Sequence, residues 1–336
     1  MKRISLSTRR GTTTVVVALV AVAAAAIGVT GAASHTAAKP KIAYLSFAVA
    51  NSYDAPMLAA ARKVARAQGA GSIAVFDAQN DPAKQLQQLQ TLVSSKQYNG
   101  IILQPIFGPQ LLSTVREAFQ AGIKVVNIDQ ILGTNPGTAK PPLAGLSGNV
   151  VFVQTQIGRK QGGLVVKACK KIKANPCKVG YMYSVKVSSL DTAIKKGFDA
   201  VTKGKGIQIV AEGQTFYNPA QALKDAQTML QAHPDINLIV GADQAATGAE
   251  AALNGRKVTL VGYGGGAHGL KKVKAGKWYG TVMQRPATEG RLGMQCLIKA
   301  VKTGKGCKGI DVLAGLPNGG VVTRANAKKF KAEWPG

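Results

Sequence analysis

Residues 80–104 read NDPAKQLQQLQTLVSSKQYNGIILQ, and the chain writes their pattern a second time. Asn80-Asp81-Pro82-Ala83 opens a Gln/Leu-rich segment whose Leu86, Leu89 and Leu92 recur at helical spacing. Gly100 and the apolar Ile101-Ile102-Leu103 follow, ending at Gln104. An offset of 137 residues carries Leu86, Gln90 and Thr91 onto Leu223, Gln227 and Thr228, behind a second Pro-Ala start at Pro219. Leu238-Ile239-Val240 then falls where Ile101-Ile102-Leu103 predicts a strand. The same offset takes Lys41-Ile42-Ala43-Tyr44 to Lys178-Val179-Gly180-Tyr181, and one of 133 takes Lys124-Val125 to Lys257-Val258. Two copies of one βαβ series predict two similar α/β lobes.

At 336 residues the chain is long enough for two domains, and 46% hydrophobic residues supply their cores despite 5% aromatics. Lys2, Arg3, Arg9 and Arg10 precede an apolar run over residues 15–29, then Gly31-Ala32-Ala33-Ser34. That progression is expected of a cleaved secretory signal peptide over residues 1–34. The run falls short of the ~20 residues that span a bilayer. Arg9-Arg10 leaves the twin-arginine route open beside the general one. Residues 35–40 read as a linker, and the mature protein is expected to be extracytoplasmic.

Four cysteines agree with an oxidising compartment. Local pairs, Cys169–Cys177 and Cys296–Cys307, are preferred among the three possible connectivities. With only three histidines, none beside a cysteine pair, no metal site is expected. The net charge of +28 falls to +24 without the four basic residues of the leader. Such a surface invites a nucleic-acid reading. The lysines are instead scattered, as at Lys195-Lys196, Lys271-Lys272 and Lys328-Lys329, with no aromatics interleaved for base stacking. A solvated basic surface facing an anionic envelope is the better reading, with no nucleic-acid partner.

Strand-length apolar runs at 42–47, 73–76, 101–103 and 124–128 alternate with helical patterns starting near Pro56, Pro82 and Gln110. That order predicts a parallel, doubly wound sheet. The Gly/Pro-rich stretch 133–148 reads as a boundary. A helix over 153–168 then leads strands at 178–183, 207–211, 238–240 and 258–261, interleaved with helices. Pieces beyond the second repeat are expected to cross back, so the lobes take residues 41–146 with 285–320, and 147–284 with 321–336. Several such crossings make a multi-strand hinge.

In open parallel sheets, ligands sit beyond the carboxyl ends of the strands. The polar residues there are Asn51, Tyr53, Asp54, Gln104, Asp129 and Gln130 in lobe one, with Asp191, Tyr217, Asp243 and Tyr263 in lobe two and Gln284 on a crossing strand. Carboxylates and amides pair with hydroxyls, and aromatic faces cover the C–H faces of a sugar ring. Asp81 and Asn218 read as helix caps, and Asp243 fits either role. No Ser/His/Asp set suggests an enzyme: His35 is in the linker, His233 precedes Pro234, and His268 lacks a partner. Gly262-Tyr263-Gly264-Gly265-Gly266-Ala267 matches G-x-G-x-x-A after a strand, but the acid expected ~20 residues on is missing. A flexible wall of the cleft accounts for it better, and no cofactor is expected.

Taken together, Ile42-Ala43-Tyr44, Asn51-Ser52-Tyr53, the run from Phe76 to Ala83, Val125-Val126-Asn127-Ile128-Asp129, Gln231-Ala232-His233-Pro234-Asp235, Val261-Gly262-Tyr263 and Gln284 carry a resemblance. The chain from Lys41 to Thr323 is similar to type I periplasmic binding proteins, most of all the ribose-binding branch of sugar ABC-transporter receptors. That implies a monomeric, non-enzymatic receptor closing two lobes around a monosaccharide or polyol and delivering it to a membrane permease. The alternative is a receptor presenting a small non-sugar metabolite to a membrane sensor. Asn51, Tyr53, Gln104, Asp129, Tyr217 and Gln284 fall where the family touches its sugar. The chain departs at Gln130, where a basic residue is frequent, at Ala242 for an Asn, and at Gly264 for an Asp. An Arg expected near Ile194 is also absent, which leaves the lobe-two half of the site largely rewritten.

Overall fold

Apolar runs too short for helices become the central strands of two six-stranded sheets in the computed structural model, which describes residues 39–336. The leader 1–34 and most of the 35–40 linker lie outside the described residues. The first sheet holds β1 (Ile42–Ser46), β2 (Ala74–Asp77), β3 (Gly100–Leu103), β4 (Lys124–Asp129), β5 (Gly148–Val151) and β11 (Gly309–Asp311). Its order is β11-β5-β4-β3-β1-β2, all parallel. The second holds β6 (Cys177–Tyr183), β7 (Ile207–Gln214), β8 (Leu238–Val240), β9 (Thr259–Val261), β10 (Gly280–Val282) and β12 (Val321–Thr323). The order repeats as β12-β10-β9-β8-β6-β7, with only β12 antiparallel. Every residue of β1, β3, β5, β8 and β10 is buried, as expected of strands covered by helices on both faces.

The helices are α1 (Asp54–Ala67), α2 (Pro82–Ser95), α3 (Gly108–Gln120), α4 (Gln154–Lys171), α5 (Ser189–Thr202), α6 (Pro219–Ala232), α7 (Asp243–Ala252), α8 (Ala267–Ala275) and α9 (Pro286–Thr303). Asp81 caps α2 by accepting from the backbone N–H of Ala83 and Lys84, and Asn218 caps α6 in the same way through Ala220 and Gln221. Both sit one residue before a proline that needs no N–H partner, so the duplicated stretch is built alike in both copies. Both local disulfides are formed, tying α4 to the start of β6 and α9 to the segment before β11.

Two features depart from the sequence expectation. Residues 148–151, assigned above to the second lobe, form β5 in the first sheet, between β4 and β11. The crossing comes after the strand, so the Gly/Pro-rich stretch is a loop within the first lobe. The duplication also runs further than the matched residues reveal. The long helix after β5 packs on α5 in the second lobe, and the long helix after β10 packs on α1 in the first. Their close approaches correspond: a Cβ on Gly158 of α4 would stand 1.9 Å from the carbonyl O of Ile194, and one on Gly290 of α9 would stand 2.0 Å from that of Met57. Only glycine allows backbones this near. The chain passes between the sheets three times, at β5–α4, β10–α9 and β11–β12.

Candidate functional site

Residues just beyond β1, β4, β7, β8, β9 and β10 meet around one cavity between the two sheets, with about 350 Å³ of empty space. Of the eleven expected binding residues, Asn51, Tyr53, Asp54, Asp129, Gln130, Tyr217, Tyr263 and Gln284 line it. The first lobe supplies the acids. Asp129 ends β4 with φ +64°, a conformation an L-residue adopts only under strain, and its carboxyl is buried. Burial pushes Asp129 up to about 6, opposed by hydrogen bonds from Gln104, Gln130 and Glu289. Asp54, at the start of α1, is raised well above its usual range by burial first and the nearby Asp129 second.

The three remaining expected residues do not line the cavity. Gln104 lies behind it and links the two acids: its Nε2 donates to Asp54 Oδ1 at 2.6 Å and to Asp129 Oδ2 at 2.9 Å, while Oε1 accepts from the Phe47 N–H at 3.0 Å. Asp191 accepts from the backbone N–H of Ser184 and Val185, pinning the turn before α5. Asp243 accepts from the Gly266 N–H at 2.9 Å and Thr281 Oγ1 at 2.7 Å. Burial raises both of these carboxyls to about 6. Asp243 stands just beyond β8 as read from the sequence and Asp191 in the first turn of α5, but Asp191 Oδ2 and both Asp243 oxygens are taken up by backbone and hydroxyl donors.

Four lining residues escaped sequence reasoning: Phe47, Leu190, Gln244 and Trp334. Gln244 follows Asp243, and its Nε2 reaches across the mouth to Asn51 Oδ1 at 3.3 Å. Trp334 arrives from the C-terminal tail, donating its indole N–H to the Gly264 carbonyl at 2.9 Å and meeting Tyr53 edge-on at 5.4 Å between centroids. The tail also accounts for the glycine motif. Backbone carbonyls of Trp334 and Pro335 accept from the N–H groups of Ala267 and His268, so the first turn of α8 is covered by protein where a dinucleotide phosphate would sit. The expected flexible wall is thus a helix start with the tail packed on it, and it contributes Tyr263. Glu289, on α9, was also missed: it is fully buried and accepts from the Tyr53 hydroxyl at 3.3 Å.

Residues 42–306 match a family model described as a periplasmic binding protein domain. The chain belongs to the periplasmic binding protein family. It is 31% identical over 237 residues to the D-allose-binding periplasmic protein of Escherichia coli (strain K12), covering 68% of this chain and 73% of that protein. It is 25% identical over 226 residues to the ribose import binding protein of Bacillus subtilis (strain 168), covering 66% and 69%. The fold is shared with an ABC transporter solute binding protein from Bacillus halodurans C-125, solved with bound myo-inositol, at a TM-score of 0.75 and 18% identity over 90% of this chain and all of that one. Another, from Mycobacterium smegmatis with bound glycerol, superposes at 0.72 with 24% identity over 89% of this chain and all of that one. In this periplasmic binding protein, contacts such as Gln244–Asn51, and Phe47 edge-on to Tyr217 at 6.0 Å, join the lobes over the cavity. The periplasmic binding proteins of ABC importers work outside the cytoplasm.

Proposed function

We propose that this protein is the extracytoplasmic solute receptor of an ABC importer, capturing a monosaccharide-sized, hydrogen-bonding ligand by closing its lobes and presenting the closed form to a membrane permease. One observation carries the reading: strand-end amides, carboxyls and aromatic rings of both lobes enclose one cavity between them. Ligand contacts in both lobes favour closure, and the three crossings between sheets form the hinge. The protein works as a monomer with no catalytic step, and its leader is cleaved on export. Support for the ligand class comes from relatives named for D-allose and ribose and from neighbours holding myo-inositol and glycerol.

Thermal unfolding against pentoses, hexoses, polyols and small anionic or amino-acid metabolites tests the reading. A ligand at 100 times its Kd adds ~2.7 kcal/mol of stability, a shift of several degrees. A shift with a sugar or polyol is the expected outcome. A shift confined to another ligand class would keep the receptor and overturn the carbohydrate assignment.

A further inference from the structure

The cavity is acidic in a protein that is otherwise strongly basic. The chain has 43 Lys and Arg against 15 Asp and Glu, yet among the described residues no Lys, Arg or His lines the cavity. Asp54 and Asp129 do, at 2% exposure each, and Glu289 stands behind Tyr53 at 0%. Acceptor oxygens are in surplus. Asp54 Oδ2, Gln130 Oε1 and Glu289 Oε1 are buried without a hydrogen-bond partner. The donors nearby are already engaged: Gln104 gives both amide protons to Asp54 and Asp129, Gln130 and Glu289 hydrogen-bond to Asp129, and the Tyr53 hydroxyl donates to Glu289. Burying carboxyls without a cation is costly, and burial holds all three of them up from their usual range.

The fold does not require this arrangement, as the second copy shows. Gly158 and Gly290 make the same close approach, but the residue before Gly158 is Ile157 and the residue before Gly290 is Glu289. Asp191 stands in α5 where Asp54 stands in α1, and its Oδ2 accepts two backbone N–H groups, whereas Asp54 accepts from the Gln104 amide and the Ala48 backbone and leaves Oδ2 without a close partner. Around the acids are the rings of Phe47, Tyr53, Tyr217, Tyr263 and Trp334, whose faces attract cations. A hydroxyl both donates and accepts, whereas an ammonium group offers three donors, no acceptor and the missing charge.

We propose that the ligand carries a protonated amino group on a sugar- or polyol-sized body, and that Asp54, Asp129 and Glu289 select it over its neutral counterpart. This rests on the capture reading above and names its substrate class. The test is calorimetric titration of the purified protein at neutral pH with matched probes: glucosamine against glucose, galactosamine against galactose, mannosamine against mannose, and glucamine against sorbitol. At least one amino compound is expected to bind about tenfold or more tightly than its parent. Asp54→Asn and Glu289→Gln keep the side-chain shapes while removing a carboxyl that can ionise against an ammonium group, and each should bring that ratio toward one. Thermal melts of the free variants report whether they fold. A neutral parent binding as tightly as its amino partner overturns the proposal and leaves sugar capture standing. An amino preference unchanged in both folded variants overturns the role given to these carboxyls. Binding of neither set overturns the proposal together with the carbohydrate reading.

Discussion

Gln104 shows what one side chain decides at the residue scale. By donating to Asp54 and Asp129 together, it holds two carboxyls side by side that would otherwise repel, and aims them at the cavity. Asp129→Ala leaves ligand donors and Gln104 without an acceptor, so affinity should fall by about 1–3 kcal/mol, roughly five- to 150-fold. Titration calorimetry reads this directly, and unchanged affinity would remove Asp129 from the site. Trp334→Ala removes a ring that is buried at 4% exposure and walls the cavity. It should cost about 3 kcal/mol in urea unfolding and weaken the ligand as well. A variant that loses neither would mean that the tail is a passive end.

At the scale of elements, the positioning of Glu289 depends on how closely α9 approaches α1. Gly290→Ala places a Cβ 2.0 Å from the Met57 carbonyl, so the helices must separate. Unfolding should be easier by about 2 kcal/mol or more, with a loss of affinity as Glu289 moves from Tyr53. Gly163, on α4 with nothing within 4 Å of its Cβ, is the control: alanine there should leave stability unchanged or raise it slightly. If both substitutions behaved alike, the close approach would have no energetic consequence. Sequence periodicity located these helices, but it could not say which glycines are contacts, because that depends on the partner helix.

For the whole molecule, the buried carboxyls set the pH response. Asp129, Asp191 and Asp243 are held near 6 against a usual 3.8, and no Lys or Arg among the described residues bonds to them. Hydrogen bonds to the three carboxyls oppose the rise without cancelling it, and Asp54 and Glu289, which face Asp129, are raised too. The folded state binds these protons more tightly than the unfolded chain. Stability is therefore full below about pH 4 and is lost as pH rises through about 6, by up to ~1.4 kcal/mol per pH unit for each group. The ligand-free protein is expected to melt higher near pH 5 than near pH 7, measurable by calorimetric scans. A Tm that falls on acidification over that interval would contradict the burial argument.

The residues by themselves determined the duplication, the parallel order of strands and helices, the two caps and the strand ends where polar side chains gather. These follow from local periodicity and from the rule that open parallel sheets bind at their carboxyl ends. The short spacing between cysteines made the local pairs the preferred ones, and the structure forms them. Only the tertiary structure decided which strand-end acids face the cavity. Asp191 and Asp243 satisfy backbone donors, while Asp54 keeps a free oxygen, and nothing in their sequence settings distinguishes them. It also placed β5 in the first sheet, brought Trp334 over Gly264, and set Glu289 against Tyr53 across 236 residues of chain. Contacts at such separations arise from how helices pack after the chain has crossed between lobes, and no local pattern encodes a crossing.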